Sequence, residues 1–141
     1  MTNKTDYFEN LLLNAYIRQN SAAKAELAAC NLQVALYYDT LSDTTSDTSL
    51  LNEVNYGTGT RVSYANLSAA FPAPSLGSMT NTSAIQWTLS LGTTGTIKSV
   101  AIVDATPATD RVWWYVGITP ISPGAGSIVQ YASGALTIVE S

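Results

Sequence analysis

The chain opens on a helical period and closes on a two-residue period. In "TDYFENLLLNAYIRQN", Phe8, Leu11, Leu12 and Ala15 recur at the spacing of one helix face. Asp6 is placed to cap this helix, with Glu9 three residues on in the capping-box position. The helix either continues or restarts at Ser21 through the Ala-rich "SAAKAELAA", a good helix former. At Leu32 the period changes. "LQVALYYD" predicts a strand with Leu32, Val34 and Leu36 on one face. A polar loop, "TLSDTTSDTS", comes next. A further strand is expected around Arg61 to Leu67, with Gly57 and Gly59 as turn residues before it.

The β signal strengthens from Ile85. In "IQWTLSL", Ile85, Trp87, Leu89 and Leu91 alternate with Gln86, Thr88 and Ser90, a half-buried pattern. "IKSVAIVD" and "RVWWYVGIT" predict two more strands. "SIVQYA" and "GALTIVE" predict a closing hairpin across Ser133 and Gly134. Short strands with regular turn signals suggest a mainly β fold, an antiparallel β-sandwich or jelly-roll-like domain of about seven strands. The expected division is a helical arm over residues 1–30 and a sandwich domain over residues 31–141.

Composition supports that outline. The 141 residues suffice for one domain, which buries roughly two thirds of its unfolded surface without staples. Charged residues are only 11% against 46% hydrophobic. Ser and Thr supply the missing polarity, and Thr fits a pleated surface. So few charges on so apolar a chain imply surface hidden against partners or copies of itself. The net charge is −4, and the cations Lys4, Arg18, Lys24, Arg61, Lys98 and Arg111 are scattered. Nucleic-acid binding needs clustered cations and is not expected. No apolar run approaches the roughly 20 residues of a membrane span, and the charged N-terminus does not read as a signal peptide.

Candidate chemistry is sparse. "SLGTTGTIKSVAIVDA" places Gly92, Gly95, Lys98 and Ser99 close together, as if for a phosphate loop. Yet only two residues separate the glycines, Ile97 precedes Lys98, and the residues after Lys98 read as a strand rather than a helix. The stretch is expected to be a turn between strands, with Asp104 bonding the backbone of the next turn. Asp39, Asp43 and Asp47 recur every four residues, without the alternation, Gly and closing Glu of a helix-loop-helix calcium site. A solvated loop is the expectation, with a looser surface calcium site as the alternative. The absence of His removes the usual base for a Ser or Cys nucleophile and the commonest metal ligand. The lone Cys30 forms no internal disulfide and reads as an inert thiol among apolar neighbours. No catalytic, cofactor-binding or metal-ligating residue is assigned, and no cofactor is expected.

The aromatics remain. "VWWYV" places Trp113 and Tyr115 on one strand face and Trp114 on the other. They are expected to meet the N-terminal arm or another subunit, with a sugar platform as the alternative. The candidate partner contacts are therefore Phe8, Leu11, Leu12, Trp113, Trp114 and Tyr115.

The order of these pieces resembles small tailed-bacteriophage virion proteins, variously described as head decoration, cement or tail-fibre-like. The resemblance runs through the helix of "TDYFENLLLNAYI", the Arg61-Val62 pair and Asn81 in "MTNTSAIQWTL". It continues through the Gly-Thr turn and strand of "GTIKSVAIVDA" and the closing "YASGALTIVES" with Gly134. The chain departs from it with Thr94, where a Trp usually precedes the Gly-Thr turn, and with "TPATDR" where a Gly-rich turn is common. The resemblance implies a non-enzymatic virion component assembled in the host cytoplasm. The main expectation is a capsid cement or decoration protein that binds the major capsid protein and copies of itself, as a dimer or trimer. The alternative is a tail-fibre or spike-associated domain that binds a host receptor or glycan. Neither nucleic acid nor membrane is an expected partner.

Overall fold

A computed structural model describes residues 3–45, 48, 51–56, 61–63, 71, 73–92, 94–106 and 110–139. The fold is mainly β and antiparallel, with two short helices near the N-terminus. A five-stranded sheet has the order β1 (Asn3–Lys4), β7 (Arg111–Ile121), β6 (Ile97–Asp104), β2 (Leu32–Tyr37), β3 (Val62–Ser63). Strands β2 and β6 run as the alternation predicts, and the sheet buries both their faces. Val34, Leu36, Val100 and Ile102 enter one apolar cluster, while Ala35, Tyr37, Ala101 and Val103 enter another on the opposite face. Of the expected strand at residues 61–67, Val62–Ser63 is a strand; residues 64–67, Gly57 and Gly59 lie outside the described residues.

The remaining strands form a two-stranded ribbon rather than the expected closing hairpin. β4 (Ser78–Thr80) pairs with β9 (Thr137–Val139), and β5 (Ile85–Thr88) pairs with β8 (Ile128–Tyr131). Thus β8 and β9 do not pair with each other. The turn at Ser133 and Gly134 is a kink within one arm of the ribbon, and Asn81 explains why it holds. Its side-chain amide donates to the carbonyls of Ser83 and Ala132, and its Oδ1 accepts from the Leu136 N–H. The buried Asn81 thereby satisfies groups that an unbroken ladder would pair. At the other end the ribbon stops at Ser90, which accepts from the Gly126 N–H. Leu91 is therefore exposed, not on the buried face that alternation predicts.

The main core lies between the sheet and this ribbon. Val34, Leu36, Val100 and Ile102 meet Ile85, Trp87, Val129 and Ile138. Trp87 is fully buried at its centre, and its indole N–H donates to the Val34 carbonyl at 3.1 Å.

The N-terminal segment folds back on the sheet. β1 pairs with β7, and α1 (Asp6–Leu12) comes at once after it. Its cap is Thr5, not the expected Asp6. Thr5 has extended backbone carried over from β1, and its Oγ1 accepts from the Phe8 N–H while donating to the Val112 carbonyl at 2.6 Å. Asp6 and Glu9 fall in the first turn, where their charge favours the helix dipole. A π-helical turn, Leu13–Ile17, extends α1. The chain breaks at Gln19, whose φ is 55°, and restarts as α2 (Ser21–Ala29) under an Asn20 cap.

Candidate functional site

One extra residue in β7 builds the helix-covered corner of the molecule. Ile102 pairs with Trp114 and Val103 with Val112, so Trp113 is a β-bulge with no partner of its own. Strict alternation would put Trp113 and Tyr115 on one face. The bulge separates them: Tyr115 packs toward Tyr37 and Val112, while Trp113 joins Trp114 against α1. Phe8 stacks on Trp113 at 4.5 Å between ring centroids and meets Trp114 at 4.3 Å.

The six candidate contact residues therefore occupy different places. Phe8, Leu11 and Trp113 are buried within the chain, and Leu12, Trp114 and Tyr115 are half-buried against its clusters. The large apolar residues that this segment leaves to solvent are Leu13, Tyr16 and Ile17, at 57%, 64% and 76% exposure. Their spacing of three and four residues makes them one stripe. In the sequence they are masked by the buried face of the same helix, which carries the stronger periodic signal.

Beside the stacked rings lies a cleft of about 330 Å³, lined by Tyr7, Glu26, Ala29, Asp104, Thr106 and Arg111. The Tyr7 hydroxyl donates to Glu26, and the Arg111 guanidinium lies 5.2 Å from the centre of the Tyr7 ring. Burial, and then the bond to Glu26, push the Tyr7 pKa up to about 12. Asp104 does bond the turn after it, as its strand-end position suggests. Its Oδ1 accepts from the N–H groups of Thr106 and Asn31, at 3.0 and 2.9 Å. Its Oδ2 is buried without a hydrogen-bond partner. Cys30 is half-buried nearby; burial first, then the Asp104 charge, hold its thiol above the ordinary value.

Residues 3–139 match the family model of the podophage GP4 fiber I protein gp80. The chain belongs to that family. It is thus of a tailed-phage virion structural kind, as the resemblance in its sequence implies, and the fibre description favours the fibre alternative over capsid cement. No curated protein matches the chain.

Within this fiber I family chain, the other motifs settle into structural positions. In the stretch from Ser90 to Ala105, Leu91 and Gly92 form a turn and Ile97–Asp104 is β6, with Lys98 exposed on the strand; Thr93 lies outside the described residues. Gly95 has a φ of 134°, and a Cβ there would stand 2.9 Å from the Tyr38 ring. Asp39 accepts from the Asn52 backbone and amide, and Asp43 from the Thr44 N–H; Asp47 lies outside the described residues. Among the described residues, no group of three or more His, Cys, Asp or Glu is placed to hold a metal ion. No helix among them is long and apolar enough to cross a membrane. Arg61, marked in the sequence only by its Arg-Val pair, forks onto Glu53 and also reaches Asp110, tying the segment before β3 to the start of β7.

Proposed function

We propose that this chain is a structural module of a tailed-phage fibre, working as a homo-oligomer and facing a host receptor or glycan. The observation that carries this reading is the match to a fibre family across residues 3–139. The fold fits a mechanical part. A main core between the five-stranded sheet and the ribbon supports a β-sandwich reading, and we assign no enzymatic activity. The exposed stripe of Leu13, Tyr16 and Ile17 supports self-association, because fibre components work as symmetric multimers. Three side chains fall short of the roughly 800 Å² per partner that a stable interface needs, so the contact extends over neighbouring residues of the same segment. Assembly into the virion takes place in the host cytoplasm. The cement reading, with the major capsid protein as partner, has no observation of its own.

Labelling intact particles with antibody against the chain tests the location. Label at the tail fibres is expected; an even coat over the head would return the protein to the capsid. Light scattering of the purified chain tests assembly. A dimer or trimer is expected, reduced to monomer by Ile17→Asp, and a monomeric wild-type chain would remove the self-association.

A further inference from the structure

The ribbon is built without a single charge. Every Lys, Arg, Asp and Glu of the chain lies outside residues 62–97 and 112–139, and these two stretches supply β4, β5, β8 and β9. The net charge of −4 is carried by the rest of the chain. What faces solvent in its place is seen on β5 and β8. Ile85, Trp87 and Val129 enter the main core, so Gln86, Thr88, Ile128 and Gln130 form the outer face, all exposed. Gln86 stands opposite Gln130, and Thr88 opposite Ile128. Ile128 is 59% exposed, the one large apolar side chain on this face. Leu91 lies at the same end of the ribbon, where a Cβ at Gly126 would stand 2.9 Å from its Cδ2.

Exposed strands are ordinarily kept from associating by a charge or a Pro. Neither β5 nor β8 has one. The chemistry of the face points to its occupant. Two copies of an acidic chain repel through their charged parts, whereas ribbon against ribbon opposes no like charges and strips no ion of water. Gln and Thr each donate and accept, so each pairs with its own kind. A face made of them is complementary to itself, as a two-fold contact requires. A highly charged partner would instead have its ions buried against side chains that carry no counter-charge.

We propose that the outer face of β5 and β8 is a self-contact, in which two copies meet about a two-fold axis with Ile128 packed on its own counterpart. The Gln86–Gln130 pair flanks the axis on each side. A stable interface engages about 20–30 residues a side, and this patch is smaller, so one such contact is weak alone. It gains strength by repetition where the stripe of Leu13, Tyr16 and Ile17 already holds copies together. Its use in joining small oligomers into larger ones rests on the homo-oligomer reading above; the contact itself does not.

The test is sedimentation velocity of the full chain over a concentration series. Wild type is expected to pass from a dimer or trimer at low concentration to multiples of it at high concentration. Ile128→Lys and Ile128→Glu each set like charges face to face. Each is expected to weaken that second step tenfold or more and leave the small oligomer in place. Mixing the two variants is expected to restore the step, because Lys then meets Glu across the axis. A patch that met another kind of partner, or only solvent, would show no such recovery. No larger species in the wild type, growth indifferent to Ile128→Lys, or no recovery in the mixture would each overturn the proposal. Ile17→Asp reads the helix stripe by itself. If the small oligomer fails to form but mixing the Ile128 variants still promotes association, the stripe is lost and the ribbon contact stands.

Discussion

Trp87 and the pair Trp113 and Trp114 solve the burial of an indole in opposite ways. Trp87 sits in the core between sheet and ribbon, among mostly aliphatic side chains with the Tyr131 ring edge-on to it, and gives its N–H to the Val34 carbonyl. Trp113 and Trp114 sit at the helix-covered corner, the first stacked on Phe8 and the second tilted against it, and both indole N–H groups are buried without a partner. Among the described residues, four buried side-chain atoms lack a hydrogen bond, and three of them belong to this corner and the end of β6: the two indoles and Asp104 Oδ2. The fourth, the Tyr37 hydroxyl, lies under the opposite face of the sheet. Trp114 packs against the main core as well, and it is the one residue there, among those described, with a buried side-chain polar atom left unpaired. The helix-covered corner holds unmet polar capacity beside an open cleft.

The largest effect is expected at Trp87. Trp87→Ala removes a fully buried indole from the centre of the main core, at an expected cost of about 3–5 kcal/mol. A large drop in the urea midpoint, or failure to fold, is the outcome. Trp87→Phe keeps most of the ring but leaves the Val34 carbonyl without its indole donor, and about 1–2 kcal/mol is expected. If Trp87→Ala cost no more than a surface change, the main core would not be the seat of stability.

Phe8→Ala attacks the other region. Its transfer and cavity cost is about 3 kcal/mol, near the lower end for a buried aromatic. The effect should stay local: hydrogen exchange should rise in α1 and β1 while β2 and β6 keep their protection. Equal loosening of all four would show that the corner and the core unfold as one unit.

Asn81→Ala tests the core region through its polar groups. The Leu136 N–H loses its acceptor, and the Ser83 and Ala132 carbonyls lose a donor. About 2 kcal/mol is expected, read as a lower denaturant midpoint at unchanged slope. A cost near zero would mean that the ribbon kink holds without its side-chain bonds.

The same contrast governs how much of the molecule is legible in the sequence. β2 and β6 are legible because their apolar runs have the length of a strand and carry turn residues at each end. The second helix is legible from its alanines, and the turn tied by Asp104 from its strand-end position. The bulge at Trp113 is not: pairing with β6 decides which residue is extra, and nothing within "VWWYV" marks it. The kink at Asn81 is hidden likewise, since Ser133 and Gly134 read equally well as a reversal or as a bend within one strand. The candidate cleft is hidden almost entirely. Tyr7, Glu26, Asp104 and Arg111 are unremarkable one by one, and only the return of the N-terminal segment onto β7 gathers them.

Alkaline pH gives the finest test, with a smaller effect than any of the core substitutions. An unperturbed tyrosine titrates near 10. In the folded chain, burial and then Glu26 raise Tyr7 to about 12. Burial, and then Glu53, push Tyr37 and Tyr56 further up, although Arg61 opposes the rise at Tyr37 and the Leu36 backbone opposes it at Tyr56. Linkage sets the sign. A folded pKa above the unfolded one means stability that is complete below pH 10 and drains as the unfolded chain ionises and the folded chain does not. The drain from Tyr7 ends at about pH 12, whereas those from Tyr37 and Tyr56 continue beyond it. Tyr7→Phe should therefore cost about 1 kcal/mol at neutral pH, through the lost bond to Glu26, and flatten the stability slope between pH 10 and about 12. Tyrosinate absorbance near 295 nm, followed with the urea midpoint across that window, measures both. A slope unchanged by Tyr7→Phe would assign the alkaline loss to the strand-covered tyrosines and leave the helix-covered corner no softer than the core.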